Sequence, residues 1–233
     1  MNYQGEFFDY KDKILEEGEH LILEIFPEKV IKLNELINKY DLSLENHHRV
    51  DSDLNIPIPN VNENSYNYNV HNEKNDENSR ILFPNGIVPC NIQIVEMFNI
   101  MKEKMFDFSN DLKNLRMWIN LLIPKIEDGN NFGVSIQKKV LNEIREIDKY
   151  NSDAINHFGY YLEGRGRIIQ NIAKFPQIED YRKLIEDLDN GQFFYMQKLI
   201  INTRNNYILL YDLITKNLNK IKNPRNGNNQ NMY

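Results

Sequence analysis

Residues 98–122 read FNIMKEKMFDFSNDLKNLRMWINLL. Apolar side chains recur in this stretch at steps that alternate between three and four residues. They are Phe98, Met101, Met105, Phe108, Leu112, Leu115, Ile119 and Leu122. This spacing is the heptad seam of a helix that packs along a nearly parallel or antiparallel helical partner. We therefore predict a long bundle helix here, with the two seam methionines as core filler rather than as part of a cofactor site.

Long helices are also predicted on both sides of this seam, because the chain has only 10 Gly and 8 Pro residues and they cluster at a few places. The four predicted helices span about 6–40, 89–122, 134–175 and 177–222. Pro27 lies inside the first helix and predicts a kink or a restart, and Asn223-Pro224 ends the fourth. The pattern predicts an all-α fold, an elongated four-helix bundle subunit that forms a single domain over residues 1–233. Its broad apolar faces indicate contacts between subunits.

The segment between the first two helices has a different composition. Asn occupies eight of the nineteen positions from Asn60 to Asn78, with Glu, Asp and Tyr between them. Such a segment buries too little apolar surface to offset the entropy of ordering. We therefore predict a disordered insert over about 41–84. A polar tail over 223–233 follows the fourth helix.

Composition and charge narrow the class of protein. The 233 residues are 41% hydrophobic and 27% charged, which is enough for a core and argues against wholesale disorder. A net charge of −6 argues against a general nucleic-acid binder. No segment approaches the roughly 18 apolar residues of a membrane span, and no signal-peptide pattern opens the chain. The lone Cys90 excludes an internal disulfide and a cysteine zinc site, and we expect a soluble intracellular protein.

Two Glu-x-x-His pairs have the spacing that di-iron bundle proteins use, Glu17 with His20 and Glu45 with His48. A di-iron site also needs two further Glu residues from other helices, and none lies on the central seams. The second pair lies at the mouth of the Asn-rich insert, which cannot hold a metal rigidly. We interpret both pairs as surface side chains and predict no metal and no cofactor. A di-metal enzyme is the third-ranked hypothesis.

No group of residues with the pattern of a catalytic site is found. Ser135 lacks the second glycine and the preceding strand of a nucleophile elbow. The Gly164–Arg167 element lacks the Lys-Ser/Thr pair of a phosphate loop. Cys90 has no nearby His to activate it, and His157 stands alone on the third helix. We therefore predict no catalytic residues.

The segment Lys125–Gly133 is acidic and then carries Gly129, two Asn residues and an aromatic residue. Asn and Gly tolerate left-handed backbone, so such a loop can hold a sharp shape and present side-chain amides. Composition leaves two interpretations open, a plain helix connector and a recognition loop. The terminal Met232-Tyr233 is by default a frayed end.

A family resemblance bears on both segments. Residues 121–137, LLIPKIEDGNNFGVSIQ, closely resemble the activation-loop signature of the 11S (REG) proteasome activators. Further matches cover the corner between the third and fourth helices, parts of the fourth helix, the extreme C-terminus and, more loosely, the first helix. They are Ile172–Pro176 with Glu179–Arg182, Arg204–Tyr207, Asn217–Pro224, Met232-Tyr233 and Phe26–Val30. The likeness spans the chain except for about 41–84.

The resemblance implies a non-enzymatic, ATP-independent proteasome activator. Its subunits would form a homo-heptameric ring around a central channel and dock on the α subunits of the 20S proteasome. No membrane and no nucleic acid takes part, and we expect the protein in the cytoplasm and/or the nucleus.

Two sites carry over from the family motif. The loop that displaces the proteasome gate falls on Lys125, Ile126, Glu127, Asp128, Gly129, Asn130, Asn131, Phe132 and Gly133. Asn130 is our first choice among them. The docking tail falls on Asn231, Met232, Tyr233 and the terminal carboxylate.

Two further hypotheses accompany this reading. The chain could instead be an oligomeric helical scaffold or adaptor that binds partners through its tail without opening a gate. If the glycine-containing stretch of the third helix faces the channel, Arg165 and Arg167 would line it.

Overall fold

The computed structural model describes residues 3–44, 50–52, 54–58 and 85–225. Within these ranges the chain forms helices and no strand. The helices are α1 (Tyr3–His20), α2 (Phe26–Lys39), α3 (Ile92–Leu121), α4 (Phe132–Lys174) and α5 (Glu179–Lys222), and a π-helical turn (Leu21–Ile25) joins α1 to α2. The all-α prediction with four long helical segments is confirmed, and the helix ends lie within a few residues of the predicted ones.

The first helical segment continues through Pro27, because the helix widens into a π-helical turn just before this residue. Residues His20 and Phe26, on either side of the π-helical turn, both have right-handed helical backbone angles. The Phe26 N–H bonds back to the carbonyl of Leu21, five residues earlier. Pro27 then lies in the first turn of α2, where its missing N–H interrupts no bond. The irregularity expected at Pro27 therefore takes the form of a wide turn.

The described residues divide into two compact units, and α3, α4 and α5 contribute to both. Unit 1 comprises residues 1–46, 100–156 and 197–233, and unit 2 comprises residues 47–99 and 157–196, each within the described ranges.

Unit 1 contains most of the predicted seam. The seam residues from Met101 to Ile119 are buried, and Leu122, at the end of α3, is partly exposed. The Tyr207 ring packs against Phe26 and Phe108, with ring centroids 4.8 and 4.5 Å away. Trp118 packs directly on Gly18, where a side chain would collide with the indole. Gly18 therefore permits the close approach of α1 to α3.

Unit 2 has its own small apolar core, which overturns part of the predicted disordered insert. Leu54 and Ile56 are buried against Ile172 and Ile185. The insert was predicted disordered over about 41–84, and that is wrong at its flank, because residues 54–56 carry apolar side chains that α4 and α5 cover. The Asn-rich segment from Asn60 to Asn78 lies outside the described residues.

A buried carboxylate fixes both ends of the insert to unit 2. Asp189 accepts hydrogen bonds from Arg165 Nε at 3.0 Å, Tyr161 Oη at 2.8 Å and Asn91 Nδ2 at 3.0 Å. Arg165 also donates to the carbonyl of Pro89 at 3.0 Å, and Asn91 donates to that of Asp51 at 2.9 Å. A buried charge is tolerated only when paired and hydrogen-bonded, as this one is.

Arg165 is therefore wrongly predicted as a channel-lining residue. Its side chain is 4% exposed and belongs to this network, whereas Arg167 is exposed and pairs with Glu163 one turn away. Gly159, Gly164 and Gly166 lie within an unbroken helix and face open space in the described part of the chain.

Candidate functional site

The loop between α3 and α4 is open to solvent along most of its length. Residues from Lys125 to Phe132 are exposed, and Ile126 reaches 96% exposure. An isoleucine this exposed contributes nothing to the core of its own subunit. The loop thus presents apolar and polar groups outward from the end of the bundle in unit 1.

The shape of the loop is set around Gly129 and Asn130. Gly129 has a φ of +129°, a conformation that L side chains rarely adopt. Asn130 Oδ1 then accepts a hydrogen bond from the Phe132 N–H at 3.0 Å, which satisfies one free donor at the start of α4. The amide nitrogen of Asn130 makes no hydrogen bond to the described residues. The oxygen of this amide therefore holds the loop, and Asn130 itself is exposed.

Gln137 ties three helix ends together. Its buried Nε2 donates to the carbonyl of Leu122 at 3.0 Å and to the carbonyl of Ile221 at 2.8 Å. These carbonyls lie at the C-terminal ends of α3 and α5, where backbone acceptors have no intrahelical partner. Gln137 belongs to the signature stretch, but its role as a clamp was not predicted, because it depends on a contact across 84 residues of sequence.

The base of the C-terminal tail contacts the loop at two further points. Gly133 packs so closely on the backbone of Pro224 that a Cβ would collide with it. Arg225 Nη1 donates to Glu127 Oε2 at 2.9 Å, and its Nη2 lies 3.4 Å from the Glu127 carbonyl. We call Glu127, Gly133, Gln137, Pro224 and Arg225 the loop–tail junction. It connects the two segments that the sequence singled out.

The predicted docking residues Asn231, Met232 and Tyr233 lie outside the described residues, and so do Glu45 and His48. Arg225 is the last residue described.

The other candidate residues have local structural contacts. Glu17 is exposed and pairs with Lys13 at 3.5 Å. The Ser135 hydroxyl donates to the carbonyl of Phe132 at 2.6 Å, and the His157 ring lies 4.4 Å from that of Tyr195. Cys90 is exposed.

The described residues show neither a metal site nor a membrane span. Across the described ranges, no group of three or more His, Cys, Asp or Glu side chains is placed to hold a metal ion. No helix in the described part of the chain has an apolar stretch long enough to cross a bilayer.

The fold and the site together define a helical subunit with an exposed loop held against the base of its tail, and comparisons with known proteins place it in a family. The family "Proteasome activator PA28, N-terminal" matches residues 4–61, and "Proteasome activator PA28, C-terminal" matches residues 87–231. The chain therefore belongs to the PA28, or 11S, family of proteasome activators. Its relatives are named as regulators of the proteasome rather than as catalysts.

Individual relatives align along nearly their whole length. Proteasome activator complex subunit 3 of Gallus gallus is 30% identical, over 96% of this chain and 93% of the chicken protein. Subunit 2 of the Homo sapiens complex is 27% identical, over 96% and 92%. The crystal structure of the 11S subunit of the Plasmodium falciparum proteasome, PA28, superimposes with a TM-score of 0.79 at 27% identity, covering 96% of this chain and 94% of that one.

Proposed function

We propose that this protein forms a homo-heptameric ring that docks on the α subunits of the 20S proteasome through its C-terminal tails. The exposed loop then displaces the segments that close the proteasome gate, and small peptides enter. No ATP is consumed and no bond is broken by the activator itself. We place this activity wherever 20S proteasome is found, in the cytoplasm and/or the nucleus.

The observation that carries this proposal is the loop itself, anchored at its ends and exposed between them. Gln137, Gly133 and the Asn130 cap fix the loop ends, while Ile126 stands 96% exposed. A loop that is held in one shape before binding loses little entropy when it contacts a partner. It needs only to bind the open gate better than the closed one, which shifts the population toward the open state.

Exposed apolar side chains in unit 1 support the oligomeric part of the proposal. Tyr3, Phe7, Phe8 and Tyr10 in α1 are all more than half exposed. Exposed apolar groups clustered on one element are typical of surfaces that other chains cover. In a ring, several weakly binding tails act together, because the first contact raises the effective concentration of the others.

Gate opening is tested by measuring binding and activation separately. Purified protein is mixed with 20S proteasome, complex formation is followed by native mass spectrometry, and turnover is followed with a fluorogenic peptide. We expect Asn130→Tyr to assemble and bind, but to leave turnover near the latent level, because the bulky ring disturbs the exposed face of the loop. Asn130→Asp is the matched control, since it retains the oxygen that caps α4 and adds no bulk.

Each other outcome assigns a different function. If Asn130→Tyr stimulates turnover like the wild type, the loop is a connector and gating must be assigned elsewhere. If the wild type binds proteasome without stimulating it, the protein is a scaffold or adaptor.

A further inference from the structure

We propose that Arg225 is a positioning residue that couples the base of the tail to the gate-opening loop. This inference rests on the proposed function. Its physical basis is a direct hydrogen bond between Arg225, three positions after the end of α5, and Glu127 in the loop. A docked tail would then fix the loop as well as hold the ring on its partner.

The geometry of the contact between Arg225 and Glu127 suits it to orient the loop rather than to stabilise the fold. Arg225 reaches both the carboxylate and the backbone carbonyl of Glu127, at 2.9 and 3.4 Å. A planar guanidinium can satisfy two acceptors at once, whereas a lysine presents a single point charge. The side chains of Arg225 and Glu127 are 28% and 57% exposed, and an ion pair this exposed to solvent contributes little to the stability of the fold. Its effect is therefore expected on the position of the Glu127 backbone rather than on folding.

The rest of the loop–tail junction makes this connection short and stiff. The backbone of Pro224, adjacent to Arg225, lies directly on Gly133 at the start of α4. Gln137 holds the last turn of α5 to the end of α3, where the loop begins. Both ends of the loop and the base of the tail are thus fixed to one another. A displacement of the tail base must move Glu127 or break its bond to Arg225.

A second ion pair on the same helix end provides a matched control. Lys222 pairs with Glu19 at 2.7 Å, and its side chains are 41% and 35% exposed. This pair ties α5 to α1 within unit 1 and does not contact the loop. Reversing the charge at Lys222 therefore breaks an exposed ion pair near the end of α5 without touching the loop.

The test uses the full chain carrying Arg225→Glu, Glu127→Arg, both changes together, or Lys222→Glu. Ring mass, affinity for 20S proteasome and maximal peptide turnover at saturating activator are measured for each. We expect Arg225→Glu to keep its ring mass and most of its affinity but to lose about fivefold in maximal turnover, a shift typical of a modest coupling. The double variant carries the same charge at residue 225 as Arg225→Glu. If its turnover recovers, the loss in Arg225→Glu comes from the broken junction and not from an effect of the tail charge on docking.

A second readout does not depend on the proteasome. Amide hydrogen exchange over residues 125–131 of the free protein should be faster in Arg225→Glu and return toward the wild type in the double variant. Lys222→Glu should leave both readouts unchanged.

The proposal is overturned if Arg225→Glu matches the wild type in both hydrogen exchange and peptide turnover. It is also overturned if the double variant recovers neither of these, or if the loss of turnover is fully explained by a loss of affinity for 20S proteasome. If the wild type itself fails to stimulate 20S proteasome, the proposed function fails, and the exchange experiment alone decides whether the junction orders the loop.

Discussion

Tyr207 shows how a single polar group is accommodated in the core of unit 1. Its ring is 1% exposed and packs on Phe26 and Phe108, while its hydroxyl donates to Asp111 Oδ2 at 2.6 Å. Burial raises the pKa of Asp111 above its usual range, and the hydrogen bond from Tyr207 and the nearby charge of Lys29 only partly oppose this. The folded protein therefore holds this proton more tightly than the unfolded chain does. The contribution of Asp111 to stability falls as pH rises through its folded pKa.

We predict that Tyr207→Phe lowers the free energy of unfolding by roughly 1–3 kcal/mol at neutral pH, because a half-buried carboxylate loses its donor. The loss should be smaller in acid, below the usual pKa of an aspartate, where Asp111 is protonated and needs less stabilisation. Urea unfolding of the two proteins at both pH values measures this difference. Asp111→Asn serves as the control, since its amide oxygen still accepts from Tyr207 but does not titrate. If Tyr207→Phe lowers the free energy of unfolding equally at both pH values, the role given to the ionised Asp111 carboxylate is wrong.

The two ends of the Asn-rich insert contact unit 2, and these contacts indicate which part of the insert folding requires. Leu54 and Ile56 fill the small core of unit 2, and Arg182 donates to the Ile56 carbonyl at 3.1 Å. Asn55 Nδ2 donates to the Asn85 carbonyl at 2.9 Å, so the chain entering the insert and the chain leaving it are already joined. We therefore expect unit 2 to close without the residues between these two ends.

We predict that deleting Asn60–Asn78 leaves ring mass and helicity intact. A loop shortened by nineteen residues costs less entropy to close, so stability should rise by about 1 kcal/mol. Leu54→Ala, by contrast, should lower the free energy of unfolding by about 2 kcal/mol or more, because it opens a cavity in the core. Native mass spectrometry and circular dichroism follow the two variants. Loss of the ring on deletion would mean that the insert is a structural element.

The helices themselves could be predicted because their signal is local. A seam repeated every three or four residues indicates both the helix and its buried face, and the seam residues from Phe98 to Ile119 are buried as expected. The contacts of Arg165 and Arg225 could not be predicted, because their partners lie 24 and 98 residues away and no short motif marks them. The flank at Leu54 was missed for a similar reason. This flank contains too few apolar residues to form a recognisable pattern beside the Asn-rich segment.

The position of the loop–tail junction in the molecule bears on function more than any single contact within the junction does. Pro224 and Arg225, at the base of the tail, contact the loop, so the base of the tail and the loop lie at the same end of unit 1. In the proposed function, docking and gating use different residues and should therefore be separable by mutation. Asn130→Tyr should remove activation and retain binding, and loss of the tail should remove both.

We predict that removing Asn231, Met232 and Tyr233 abolishes docking and leaves assembly unchanged. These residues follow the Asn223-Pro224 stop after α5, so no described helix depends on them. A single tail binds weakly, but in a ring each tail raises the effective concentration of the next, and small losses per tail multiply. Rings assembled from wild-type and truncated subunits in graded ratios should therefore lose affinity much more steeply than in proportion to the truncated fraction. Native mass spectrometry gives the composition of each ring, and binding to immobilised 20S proteasome gives its affinity. A linear decline would mean that the tails act independently, and undiminished binding by fully truncated rings would assign docking to another surface.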